Sequence, residues 1–391
     1  METTRPVPLM RVPAVLIVSM GLACGATCGG QDVSGPGPTS GPNVELLRQS
    51  WRTYAARFIL GDGRVIDPKA EDVTTSEGQA YAMLRAAWMD DRATFEKVYT
   101  WARSNLNAGV RADRLWAWKW GRARDGNWRV LDSAFATDAD QDVALALIMA
   151  WKAWGDPRYL EEARRTLADL WQHGTVVSGG RRWLLGGDRL CQGPTCRLNP
   201  SYSAPYAYRI FARHDPARSW SDLVDSSYVL LDANAGMTST GLPSDWLLLD
   251  VPSGTLRLGN EADSQYSYDA FRAHWRVAAD AALFGDPRAE AFLRRSLLWA
   301  RDQWQRNGRL PAAIGRDGSA RAEHEALEMV AALAPAMRPL APDVSDAMNR
   351  KLQATYSGGL WGDRESYYLQ NWAWFGTALN ERYLTPLEAV R

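Results

Sequence analysis

Three acidic residues stand at the head of otherwise apolar segments: Glu77 in TSEGQAYAMLRAAW, Asp138 in ATDADQDVALALIMAW and Asp269 in YDAFRAHWRVAADAALF. A helix that is apolar on every side belongs inside a larger bundle. Its first turn is the part that reaches the open end. If the three helices share one orientation, three carboxylates meet at one mouth. Two carboxylates across a cleft are the usual equipment for breaking a glycosidic bond. Each position also has a plainer reading. Glu77 follows Ser76, a capping residue, and an acid in the first turn complements the helix dipole by about 0.3–1 kcal/mol. Asp138 competes with Thr137 and Asp140 for its cap, although three acids leading into VALALIMA require at least one to be held inward by hydrogen bonds. Asp269 stands one turn before Arg272, a spacing that makes a salt bridge and keeps a carboxylate ionised at neutral pH. A proton donor needs the opposite treatment. Burial among aromatic side chains and a nearby ionised carboxylate must then outweigh the dipole.

The segments that carry these residues end alike. AWMDDRATF, AWGDPRYLEEA and LFGDPRAEAFL align Trp88 with Trp154 and Phe284, Asp90 with Asp156 and Asp286, and Arg92 with Arg158 and Arg288. IFARHDPARSW, with Asp215 and Pro216, is a looser copy. Gly ends one helix, Asp caps the next and Pro takes its first position. The second helices, such as YLEEARRTLADLWQ, alternate apolar and charged faces as half-exposed helices do. Each copy is therefore a helical hairpin, buried helix first, and such units must stack to cover their faces. Closing the stack gives an inner barrel of parallel helices wrapped by outer ones, an all-α architecture. An open solenoid is the competing arrangement. Strand alternation is scarce.

The totals narrow the partners. The 391 residues carry 45 basic and 45 acidic side chains, so the net charge is zero. That leaves no electrostatic footprint for nucleic acid or an anionic membrane. A neutral polymer is the more natural partner. There are 19 Trp against 8 Phe. Most belong to the core, but a flat indole also stacks on a sugar ring, and the excess argues for a sugar-lined groove. Residues 1–42 are read as an export signal followed by a Gly/Pro/Ser linker. VPAVLIVSMGLAC is shorter than the ~20 residues of a membrane span, basic residues precede it, and small residues follow for cleavage. Cys24 is the alternative, as a lipid-attachment site, although Gly21 stands where that signal prefers Leu. One large domain is expected over 43–391, exported, without a transmembrane segment and working as a monomer. Cys191 and Cys196, in CQGPTC, lie in it; an exported chain permits a disulfide there, with two free thiols as the alternative. DADQD fails as a calcium loop because Val143 and Met149 replace the required Gly and Glu. HEALE, from His324, lacks the second His of a zinc protease.

Taken together, these segments resemble glycoside hydrolase family 8, the bacterial endoglucanases, chitosanases and some xylanases. TSEGQAYAMLRAAWMDDRATF is similar to the family's acid-bearing segment, which implies Glu77 as proton donor. ATDADQDVALALIMAWKAW resembles the family signature, with Val143 for the usual Ile or Met, and implies that Asp138 grips the distorted sugar at the cleavage point. LNPSYSAPYAYRIF resembles the stretch lining the middle of the cleft. YDAFRAHWR resembles the base-bearing segment, which implies Asp269 as base with Tyr268 and Arg272 beside it; His274 stands where Pro is common, which puts the local turn in question. Trp118 in LWAWKW, Tyr202 in NPSY and Trp246 in SDW are candidate sugar platforms, each with plain packing as the alternative. The family implies an (α/α)6 barrel, inversion at the anomeric carbon and no metal or organic cofactor. Members that place their base elsewhere, chitosanases among them, tend to carry Asn at position 269, so Asp there tilts the expected substrate toward β-1,4-glucan or mixed-linkage glucan. A xylanase or chitosanase of the same family and a non-catalytic glycan-binding barrel are the competing readings.

Overall fold

The computed structural model describes residues 42–384. The segment read as an export signal, Cys24 included, lies outside the described residues. Thirteen helices are described: α1 (Pro42–Phe58), α2 (Ser76–Trp88), α3 (Arg92–Ala102), α4 (Thr137–Trp154), α5 (Pro157–His173), α6 (Pro205–His214), α7 (Trp220–Gly236), α8 (Phe271–Phe284), α9 (Pro287–Ser296), α10 (Leu298–Asn307), α11 (Leu327–Met337), α12 (Pro342–Gln353) and α13 (Tyr367–Asn380). Helices α2, α4, α6, α8, α11 and α13 pack in that order, and α13 returns to α2. The ring is closed, so the solenoid is ruled out. Helices α3, α5, α7, α9 and α12 each cover the inner helix before them, and α1 covers α13. This is an (α/α)6 barrel.

Burial follows the sequence pattern. Every residue of α4 from Thr137 to Ala150 is buried, whereas α5 buries Tyr159, Ala163, Thr166, Leu167 and Leu170 and leaves its charged face to solvent. The first and last helices are sewn together by one buried cation. Arg85 of α2 hydrogen-bonds Asn371 Oδ1 of α13 at 3.1 Å and Ser50 Oγ of α1 at 3.3 Å, and lies over the Tyr54 ring at 4.3 Å.

The recurring turns form largely as read. Gly155 and Gly285 take left-handed conformations, and Asp156 and Asp286 cap the helices that follow. The first copy differs. Asp90, not a glycine, adopts the left-handed turn (φ 56°), and Asp91 becomes the cap by accepting from Thr94 N–H at 3.0 Å. Asp90 is freed to accept the Trp154 indole N–H at 2.7 Å from the next hairpin. Arg158 and Arg288 hold their own capping Asp at 2.6 and 2.8 Å, but Arg92 reaches across to Asp156 at 3.2 Å.

Inner-to-outer turns are short; outer-to-inner connections are long and gather at the end where the inner helices begin. They carry eleven described strands of two to five residues. The largest sheet is antiparallel, Cys191–Gln192, Thr195–Leu198, Leu247–Asp250 and Thr255–Leu258 in order. Cys191 and Cys196 are disulfide-bonded across its first hairpin. No described helix is long and apolar enough to cross a membrane.

Candidate active site

Two helix starts set the first pair of carboxylates. The extended pair Thr74–Thr75 leads into α2, and Thr75 Oγ1, rather than the expected Ser76, caps it by accepting Gly78 N–H at 3.0 Å. Glu77 thereby becomes the second residue of α2. Asp138 is the second residue of α4, whose cap position is Ala136 with no side-chain cap; Thr137 instead gives its hydroxyl to the Leu185 carbonyl. Asp269 departs from the expected pattern. It lies in the turn before α8, which begins at Phe271, so only two of the three acids belong to helices. The turn ends in a run of buried residues, and the Asp269 side chain stays 32% exposed.

Arg272, in the first turn of α8, draws all three together. Its Nη1 donates to Glu77 Oε2 at 2.7 Å and to Asp138 Oδ2 at 2.8 Å, and its Nη2 donates to Asp269 Oδ1. The guanidinium is 2% exposed and lies over the Tyr202 ring at 5.1 Å. These contacts also fix the barrel's polarity: α2, α4 and α8 begin at one rim. One cation cannot neutralise three anions in a buried place, so the site favours keeping a proton. Burial pushes the Glu77 carboxyl up to about 7; Arg272 opposes the rise, and the charges of Asp138 and Asp269 add to it. Asp138 is raised as well, first by burial. The arrangement pairs a carboxyl that holds its proton near neutral pH with a more exposed carboxylate fixed on the same arginine.

The other acids of DADQD have structural tasks. Asp140 Oδ1 accepts the Trp116 N–H at 2.9 Å, and Asp142 makes a two-pronged pair with Arg276 at 2.9 and 2.8 Å. All three acids are buried. Among the described residues no group of three or more His, Cys, Asp or Glu side chains is arranged to hold a metal ion.

The expected platforms fare unequally. Trp246 donates its indole N–H to Asp269 Oδ2 at 3.2 Å and meets the edge of Tyr202 at 6.0 Å between centroids. Tyr202 is only 8% exposed, so it supports Arg272 more than it offers a face. Trp118 is half-buried at the rim; its carbonyl accepts the Ser76 N–H at 3.0 Å, which ties it to the start of α2. Tyr268 is 42% exposed and its hydroxyl lies 3.3 Å from His324 Nε2. His274 does not disturb the turn. It sits buried within α8 between Tyr266 Oη at 3.0 Å and Ser296 Oγ at 3.1 Å.

Three residues were not singled out in the sequence. Tyr367 opens α13 and its hydroxyl reaches Glu77 Oε1 at 3.4 Å. Tyr368 donates to the Tyr268 carbonyl at 2.7 Å. Asp245, beside Trp246, holds the backbone around Asp269. The two tyrosines were findable: SYYLQNWAWF is one more apolar helix with a capping Ser at its head.

Comparison with known proteins identifies the family of the chain. The family model for glycosyl hydrolases family 8 matches residues 21–312. An endoglucanase of Pseudomonas fluorescens is 33% identical over 251 residues, 62% of this chain and 62% of that protein. An endoglucanase of Escherichia coli K12 is 33% identical over 231 residues, 58% and 61% of the two chains. The chain thus spans about three fifths of the length of these curated relatives. Among solved structures, an endo-1,4-D-glucanase of Vibrio fischeri superimposes with a TM-score of 0.75 at 27% identity, covering 85% of this chain and 94% of that one.

Proposed function

Because the chain belongs to glycosyl hydrolases family 8, we propose that it is an inverting endo-β-1,4-glucanase. In this reading Glu77 is the proton donor, Asp269 the base and Asp138 the residue that holds the sugar at the cleavage point. One observation carries it: Arg272 binds all three carboxylates, and Glu77 among them is pushed up to about 7. A carboxyl that retains its proton near neutral pH can give it to a leaving oxygen. The glycosidic C–O bond then breaks as a water attacks the opposite face of the anomeric carbon. Asp269 takes the water's proton, and Arg272 holds its carboxylate in place. Inversion requires the two carboxyl groups to stand about 6.5–9.5 Å apart, with the water between.

The endoglucanase names of the relatives and the Asp at position 269 support a β-1,4-glucan substrate. The apolar leader after Arg11 supports export. Glu77→Gln should lower reducing-end release from carboxymethylcellulose about a thousandfold, since acid–base catalysis supplies ~100- to 10,000-fold, with the fold kept. Retention of more than about a hundredth of the rate would refute Glu77 as the donor. A panel including xylan and chitosan separates the competing substrates. NMR of the first product anomers reads the stereochemistry, and binding without new reducing ends would identify a non-catalytic barrel.

A further inference from the structure

The turn that presents Asp269 has a holder of its own. Asp245 is 4% exposed. Its Oδ1 accepts two backbone N–H groups, from Ser267 at 3.0 Å and from Ala270 at 2.8 Å. Its Oδ2 accepts the Ser267 hydroxyl. A single carboxylate therefore grips the backbone on both sides of Tyr268–Asp269. The next residue, Trp246, holds the Asp269 carboxylate itself through its indole N–H at 3.2 Å. That indole is clamped in turn. The Arg197 guanidinium lies over it at 4.5 Å, and Gly186 backs onto it so closely that a Cβ there would come within 2.7 Å of the ring. The backbone of the pair is pinned to the same loop, Asp245 N–H to the Gln265 carbonyl at 2.7 Å and Trp246 N–H to that of Asp263 at 2.9 Å.

A buried acid next to another acid is a poor choice for packing alone. Burial raises the Asp245 carboxyl to about 6, and the Asp269 charge adds to the rise. Three donors converging on one side chain offset that cost. What the arrangement supplies is a fixed location for a residue that lies in a turn rather than in the helix. We infer that Asp245 is a positioning residue for the base: by holding the Ser267–Ala270 turn it sets where the Asp269 carboxylate meets the attacking water. This deepens the reading of Asp269 as base and rests on it.

The test is a kinetic cycle on a soluble β-1,4-glucan. A displacement of the reacting group by about 1 Å costs on the order of a hundredfold, so Asp245→Ala should lower kcat by about that factor while KM stays within about threefold. Asp245→Asn keeps an oxygen for the two N–H groups but loses the acceptor for Ser267 Oγ, and should lower kcat by about fivefold to tenfold. In an Asp269→Asn background the same changes should alter the residual rate by less than about twofold, because residues that act through one another are not additive. Equal losses in both backgrounds, or Asp245→Asn within twofold of wild type, would overturn the inference. If Asp245→Ala does not fold, the Asn variant and its cycle decide alone. The two readings fail separately: full activity in Asp269→Asn would remove Asp269 as base, whereas an inactive Asp269→Asn beside an unaffected Asp245→Asn would remove only the positioning role.

Discussion

At the residue scale, the raised Glu77 carboxyl that the proposed proton donor requires also works against stability. That carboxyl is raised from 4.5 to about 7 by burial, with Arg272 opposing and Asp138 and Asp269 reinforcing the shift. A raised acid means that the folded chain binds the proton more tightly than the unfolded chain. Stability is thus unaffected by this group below about pH 4.5, falls as pH climbs through the window to about 7, and is level above it. Gln copies the neutral form. Glu77→Gln should match the wild type near pH 4 and exceed it at pH 8 by up to about 3 kcal/mol, measured by urea unfolding at both values. A difference independent of pH would contradict the assigned ionisation. With Glu77 as the proposed proton donor the same proton would govern turnover, so kcat/KM should decline as pH rises through about 7. A basic limb that begins two units higher would mean that another group supplies the proton.

Helices and turns answer for where these residues stand. Asp156 caps α5, and Asp156→Ala should cost about 1 kcal/mol. Gly376, within α13, lies against the Ala331 carbonyl of α11 with no room for a methyl group. Gly376→Ala forces two inner helices apart and should cost about 3 kcal/mol, so its denaturant midpoint should fall well below that of Asp156→Ala; the reverse order would mean that the inner ring is loosely packed there. Much of this level was legible in the sequence. Apolar helices alternating with amphipathic ones, and the Gly-Asp-Pro turns between them, encode an inner and an outer ring through burial alone. Local rules failed where a tertiary partner decided. Asp90 gave up its cap because a left-handed turn was needed with no glycine present, and Ser76 lost its cap to Thr75. Asp269 fell outside α8 because a side chain from position 245, 24 residues earlier, holds its turn. The small sheets were missed for a related reason: strands of two to five residues are too short to show alternation.

For the whole molecule, closure of the ring is what turns separate hairpins into a site. The family match ends at residue 312, yet α11 to α13 lie beyond it and complete the barrel. Without them the inner helix α2 would expose the face that Trp372 and Phe375 cover through Tyr81. Arg85, fully buried, would lose Asn371. Arg85 would also lose its place over the Trp374 ring, 5.3 Å away in the closed barrel. Loss of several large apolar contacts adds a few kcal/mol for each aromatic side chain uncovered. Those terms together reach the ~5–15 kcal/mol that holds an ordinary domain folded. A chain ending at residue 312 should therefore show no cooperative thermal transition and no hydrolysis, although it keeps Glu77, Asp138, Asp269 and Arg272. Scanning calorimetry of that truncation decides the matter. A sharp transition would mean that four of the six inner helices can stand as an open ring, and that the carboxylates need only their own helices to meet.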